Sequence, residues 1–119
     1  MRQLTIALAL SLGLVACGSY PSPTERMASS QAALRVAQEV NAASNPQAAL
    51  HLKLAQEQLE QAKQMMAENN NRRAEYVLMR AEVDAELAEA LAREAQLKAQ
   101  AAQAVEDVKN AKSRVGGGK

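Results

Sequence analysis

The stretch AEYVLMRAEVDAELAEALAREAQLKAQAA, residues 74–102, decides the fold of this chain. It contains neither glycine nor proline, and its apolar residues recur every three or four positions, which predicts one long helix. Two apolar rows follow this spacing. The first row consists of Tyr76, Val83, Leu87, Ala90, Leu97, Ala101, Ala104 and Val108, with Arg80 and Glu94 interrupting it. The second row is almost pure alanine and consists of Ala74, Leu78, Ala81, Ala85, Ala88, Ala92, Ala95, Ala99 and Ala102.

The two rows lie well apart around a helix that has 3.6 residues per turn. One neighbouring helix covers only one row, so the long helix is expected to have two neighbours, one against each row. The alanine row would allow an unusually close approach of the helix axes. We therefore expect an all-α fold in which the two preceding helices flank the long one.

Helix-start signals place those two helices. Ser22, Pro23 and Glu25 form a capping-box pattern, which predicts a first helix over residues 23–43. Asn45 followed by Pro46 predicts the start of a second helix.

The second helix is expected over residues 46–68 and the third over residues 72–114, with the asparagine triplet 69–71 as the turn between them. The second helix has its own heptad row, which consists of Ala48, Leu52, Ala55, Leu59, Ala62 and Met66. The prediction is an antiparallel helical hairpin or three-helix bundle, coiled-coil-like, over residues 24–114. A long C-terminal helix projects from it, and residues 115–119 form a flexible glycine-rich tail.

The composition limits the thickness of the core and the class of partner. Hydrophobic residues make up 48% of the 119 residues and aromatic residues 2%, with no Phe or Trp, and alanine is by far the commonest apolar residue. Alanine buries little area, so such a core is extended and thin. The formal net charge of +1 argues against nucleic acid as a partner.

The N-terminus has the pattern of a secretion signal. Arg2 precedes an uncharged apolar run at residues 4–15, which is too short to cross a bilayer and has the length of a signal-peptide core. Residues Leu14, Val15, Ala16 and Cys17 follow it and resemble the lipobox of bacterial lipoproteins. We expect residues 1–16 to be the signal peptide, Cys17 to carry the lipid, and residues 17–23 to be an extended tether.

The lipobox resemblance implies a compartment and one partner. Acyl chains on Cys17 would anchor the protein stably in a membrane, because each buried methylene contributes ~0.8 kcal/mol. Gly18, and not aspartate, follows the cysteine. By the sorting logic of enterobacterial lipoproteins, this implies the periplasmic face of the outer membrane.

Residues 46–91 resemble an uncharacterised family of small bacterial envelope proteins, domain of unknown function 4398. The resemblance rests on Pro46 before a helix, on the run Val83-Asp84-Ala85-Glu86-Leu87-Ala88, and on a set of apolar positions. These positions are Leu52, Ala55, Leu59, Ala62, Ala74, Leu78 and Ala81. The family implies a helical fold and an envelope location, and it brings no catalytic residues.

Candidate chemical groups do not assemble into a site in the sequence. His51 is the single histidine and is expected at the edge of the core or facing solvent. Glu82, Asp84, Glu86 and Glu89 are expected on different sides of the helix as a solvated face. We therefore expect no catalytic residue, no cofactor, no metal site and no enzymatic activity.

The C-terminus offers one further candidate, Lys119, which follows three glycines after a long helix. This ending is similar to that of the major murein lipoprotein, whose terminal lysine is joined to peptidoglycan. Three roles follow as hypotheses. The chain is a structural module that binds an envelope protein or itself, a peptidoglycan tether, or an accessory subunit of a secretion or transport complex.

Overall fold

The computed structural model describes residues 19–117, and these form three helices. Helix α1 spans Thr24–Glu39, α2 spans Pro46–Ala67 and α3 spans Asn71–Gly116, with a short 3-10 turn at Ala42–Ser44. No strand occurs within this range. The expected all-α bundle is confirmed. None of these helices is long and apolar enough to cross a membrane.

The topology is up-down-up. The Ser30 hydroxyl donates to the Leu78 carbonyl at 2.9 Å, and the Gln96 side chain donates to the Val40 carbonyl at 2.8 Å. These contacts, one near the middle of α1 and one at its C-terminal cap, show that α1 runs parallel to α3. Helix α2 runs antiparallel to both.

The core consists of two clusters along the bundle, and alanine dominates both. The first cluster comprises Ala37, Ala42, Ala48, Leu52, Ala88 and Ala92. The second comprises Leu59, Ala62, Ala74, Leu78 and Ala81. Helices α1 and α2 therefore both pack on the alanine row of α3.

This arrangement corrects the prediction that each apolar row of α3 would have its own neighbour. Residues of the first row are exposed: Tyr76 by 58%, Val83 by 62% and Leu97 by 64%. The physical reason is that alanine lets both neighbours approach closely, so that two helices share one face of α3. Most of the row with the larger side chains has no neighbour within the described part of the chain.

Most helix ends follow their local signals. The Asn45 side chain accepts from the backbone N–H groups of Gln47 and Ala48, which confirms the predicted cap of α2. Asn69 ends α2 in the left-handed conformation, with φ of 58°. The predicted capping box was wrong, because α1 begins at Thr24 without any side-chain cap.

Helix α1 also ends earlier than residue 43. Asn41 adopts the left-handed conformation, with φ of 58°, which stops the helix after Glu39. The 3-10 turn at Ala42–Ser44 then leads into α2. Ala42 at the start of this turn is fully buried and belongs to the first core cluster.

Helix α3 extends beyond its neighbours. Gln96 lies level with the end of α1, and every described residue after it is exposed. Residues 97–116 therefore form a helical extension ~30 Å long at 1.5 Å per residue. The predicted projecting helix is confirmed.

Candidate interaction surface

The most extensive unpaired apolar feature of the described chain is one face of α3, which we call the outer face. Its members are Tyr76, Met79, Val83, Leu87, Ala90, Leu97, Ala101, Ala104, Val105 and Val108, and all of them are exposed. At 3.6 residues per turn they lie roughly 180° from the alanine row. The outer face therefore points away from α1 and α2, except at Leu87, which lines a shallow pocket with Leu50 and His51 of α2.

The outer face has the spacing of a coiled coil. Starting at Tyr76, steps of four and three residues alternate along α3 without a break. The positions reached are Tyr76, Arg80, Val83, Leu87, Ala90, Glu94, Leu97, Ala101, Ala104, Val108, Ala111 and Val115. A regular heptad of this length is typical of a surface that packs against another helix.

Arg80 and Glu94 are the two charged residues in this heptad, and both occupy positions of the same type, fourteen residues apart. Arg80 is exposed and forms no ion pair with another residue among 19–117. Glu94 contacts Lys98 at 2.6 Å, and this hydrogen bond and charge lower the pKa of Glu94. The outer face thus carries one positive and one negative charge among apolar side chains.

A polar cluster at the α2–α3 contact is the most buried group of titratable side chains in the described range. Nδ1 of His51 lies 2.9 Å from one oxygen of Asp84, and the Gln58 amide donates to the other oxygen at 2.7 Å. Because a carboxylate only accepts, Nδ1 of His51 is the donor in this contact. The cluster ties α2 to α3 beside the alanine core.

Asp84→Ala is expected to lower the free energy of unfolding by about 1–2 kcal/mol, because the buried Gln58 amide loses its acceptor. The matched control is Asp107→Ala in the exposed extension, where the expected change is within about 0.5 kcal/mol. Urea denaturation followed by circular dichroism measures both changes. Equal effects of the two substitutions would contradict a structural role for the cluster.

The segment before α1 is held against the start of α3. The Tyr20 hydroxyl donates to Glu75, which raises the pKa of Tyr20, and the Asn71 amide donates to the Tyr20 carbonyl at 3.0 Å. Arg26 pairs with Glu82 at 3.0 Å. The chain therefore enters the bundle at the end where α2 turns into α3, and the extension of α3 leaves from the opposite end.

The structure shows the positions of His51 and of the acidic residues of α3 that the sequence analysis considered. His51 lies at the edge of the core, as expected. The four acidic residues of α3 are not all solvated, which corrects the prediction. Glu82 and Asp84 pair with α1 and α2, whereas Glu89 pairs with Arg93 of its own helix at 2.7 Å.

The remaining candidates lie outside the described residues: the lipobox with Cys17 at one end of the chain, and Lys119 at the other. Within residues 19–117, no three His, Cys, Asp or Glu side chains converge as they do around a metal ion.

Sequence reasoning missed the polar cluster. A signal was present, because His51 and Gln58 are seven residues apart and so lie on one side of α2, beside its apolar row. Their shared acceptor lies on another helix. Finding it from the sequence requires the register between α2 and α3.

Comparison with known proteins gives one match. The family model described as Domain of unknown function (DUF4398) matches residues 25–104, which include all of α2 and most of α1 and α3. No curated protein and no solved structure matches the chain.

Proposed function

The chain belongs to the DUF4398 family, and from this premise we propose that it is a lipoprotein of the bacterial outer membrane, anchored through Cys17 on the periplasmic side. In this proposal it is a non-catalytic helical module that binds another protein through the outer face of α3. The family description supplies no activity. The proposal therefore depends on the surface of the molecule and on the N-terminal sequence.

The outer face is the observation that carries the interaction role. Its heptad runs for forty residues, from Tyr76 to Val115, on the side of α3 opposite its neighbours. Ordered apolar faces of this kind are costly to leave in water, and large exposed patches usually mark interaction sites. A solvent-exposed helix without a partner needs no such regular row.

The anchor is supported by the sequence and by the entry of the chain into the bundle. The lipobox at Leu14–Cys17 is followed by a tether that docks on α3 through Tyr20. An anchor at Cys17 would thus hold the Tyr20 end of the bundle near the membrane. The outer face would remain accessible along the whole length of α3.

Replacing Cys17 with serine tests the anchor. The native chain is expected in the membrane fraction, and its N-terminal peptide is expected to carry diacylglycerol and a further acyl group in mass spectrometry. Cys17→Ser is expected to leave an uncleaved, unlipidated precursor, while the control Ser19→Ala behaves as the native chain. An unmodified Cys17 in the native protein would contradict the anchor.

Photo-crosslinking in cells tests the interaction role. A photoreactive amino acid in place of Leu97 on the outer face is expected to give a discrete protein adduct. The same amino acid in place of Gln61, an exposed residue of α2, is the control and is expected to give none. Absence of an adduct at Leu97 would count against the proposal, as would equal adducts at both positions.

A second candidate function, a peptidoglycan tether through Lys119, is favoured by the direction of α3. This helix carries the chain ~69 Å from the end where the tether docks, at 1.5 Å for each of its 46 residues. Mass spectrometry of digested cell walls tests it. A C-terminal peptide joined to a muropeptide, and lost in Lys119→Arg, is the expected result, whereas its absence from the native strain would exclude a covalent tether.

A further inference from the structure

The two charged residues in the heptad of the outer face restrict which partner can pack against it. Arg80 and Glu94 occupy equivalent heptad positions, two heptads apart, with Leu87 midway between them. Such charged core positions reduce stability but select the orientation and identity of a coiled-coil partner. A partner with a negative group near Arg80 is therefore favoured, and a positive group near Glu94 would add to the contact that Lys98 already makes there.

We propose that the occupant is a second copy of this chain, packed through the same face with α3 antiparallel to α3. This inference rests on the proposed interaction role and names its partner. In the register we assign, Val83 packs beside Glu94 of the second copy, and Tyr76 packs beside Ala101 of the second copy. The two-fold axis passes between Ala88 and Glu89, so each contact occurs twice.

Charge decides between the antiparallel and the parallel arrangement. A parallel pair in register would place Arg80 against Arg80 and Glu94 against Glu94 inside an apolar interface. In the antiparallel register, Arg80 lies within one helical turn of Glu94 of the second copy. Both charged positions are then neutralised by their counterparts, which partly offsets the cost of removing them from water.

The residues beside the heptad positions also favour the antiparallel arrangement. In this register Glu86 lies beside Arg93 of the second copy across the edge of the interface. Arg93 already binds Glu89 through its Nε at 2.7 Å. Its guanidinium has further N–H groups for a second carboxylate.

The size of the contact fits a weak dimer. From Tyr76 to Ala101 the outer face is about 40 Å long and about 12 Å wide, or about 1,000 Å² over both copies, close to the lower limit for a specific interface. Confinement to a membrane surface raises the effective concentration of such a weak pair. Helices α1 and α2 lie on the opposite face, so neither has to move.

Disulfide trapping in cells tests the orientation. Two differently tagged full-length copies are expressed together, one with Tyr76→Cys and the other with Ala101→Cys. The antiparallel register predicts a disulfide that joins the two tags. A parallel pair would instead join each tag to itself, because positions 76 and 101 are ~38 Å apart along the helix.

Two controls accompany this trapping. The chain with only its native Cys17 and the pair Gln61→Cys with Ala101→Cys are expected to give no disulfide. Disulfides within one tag, or none between tags, would overturn the proposal.

Charge reversal tests the same contact without cysteines. Arg80→Glu alone or Glu94→Arg alone is expected to weaken self-association about tenfold in sedimentation of the detergent-solubilised protein. The double variant is expected to recover most of that loss, since each new charge meets its opposite again. Arg35→Glu on α1 makes the same charge change away from the outer face and is expected to have no effect. Failure of the double variant to recover would overturn the antiparallel register.

The crosslinking outcome at Leu97 separates this inference from the proposed function. An adduct with the mass of two copies supports both. An adduct with a different envelope protein, in cells that give no self-adduct, would overturn self-pairing and leave the interaction role standing. No adduct of either kind would overturn both.

Discussion

Leu78→Ala is expected to lower the free energy of unfolding by about 2–5 kcal/mol, the usual range for removing a buried leucine. Leu78 is fully buried and is one of the few large side chains in a core composed mainly of alanine. Its neighbours on α2 include Leu59, and its carbonyl accepts the hydrogen bond from Ser30 on α1. The cavity would therefore open where all three helices meet. Since so thin a core supports only marginal stability, this loss is expected to unfold much of the population at 37 °C.

Leu50→Ala is the matched control, since Leu50 is 57% exposed on α2. Its expected effect is within about 0.5 kcal/mol. Urea denaturation of the purified protein, followed by circular dichroism, compares the two variants. A loss below about 1 kcal/mol for Leu78→Ala, far under the range for a buried leucine, would show that the three helices do not meet there.

Ala81→Leu is expected to lower the free energy of unfolding by about 2–3 kcal/mol through overpacking. Ala81 is fully buried in the face of α3 that both neighbours share. The short alanine side chains set the spacing between the helix axes, so a leucine there forces α1 or α2 outward. The helix propensity of leucine is close to that of alanine, so the local helix is not the cause of the loss.

Ala90→Leu makes the same change on the outer face, nine residues further along α3, where the side chain is exposed. It is expected to leave the free energy of unfolding of the monomer unchanged within about 0.5 kcal/mol. The same denaturation experiment, at a concentration that keeps the protein monomeric, measures both variants. A destabilising Ala90→Leu with a neutral Ala81→Leu would mean that the core lies on the other face of α3.

The sequence predicted the number of helices, their order and most of their ends, because caps and breakers act locally. The Asn45 side chain caps the start of α2 by accepting hydrogen bonds from the backbone N–H groups of Gln47 and Ala48, so this signal involves only neighbouring residues. The left-handed Asn69 ends that helix in the same local way. The end of α1 was harder, because asparagine can stop a helix but Asn41 stands in a sequence that is otherwise helical.

The sequence could not tell which row of α3 is buried. Both rows have the same period, and the outer face has the larger side chains, so area alone favours burying it. The outcome depends on close packing of three backbones around Ala81, Ala85 and Ala88, which is a property of the assembled bundle. A row of alanines on the opposite side of a helix from a row of larger residues is a sequence signal for this arrangement. The signal is recognised only when the close approach of the helix backbones is considered together with the apolar area that each row would bury.

The candidate surface could be predicted only in part. The heptad with Arg80 and Glu94 is visible in the sequence, but its exposure is not, since a covered row and a free row have the same pattern. The polar cluster around Asp84 required the register between helices. The proposed anchor at Cys17 depends on a short linear motif, which is readable without any fold.

The rate of thiol labelling at position 83 tests most directly whether the outer face is covered by another protein. Val83→Cys is labelled with a small maleimide in dilute purified protein and in intact cells, with Gln61→Cys as the reference in both. Burial in an interface predicts that Val83→Cys reacts at least about tenfold more slowly in cells than in dilute solution, relative to the reference. Equal relative rates in the two settings would contradict the account.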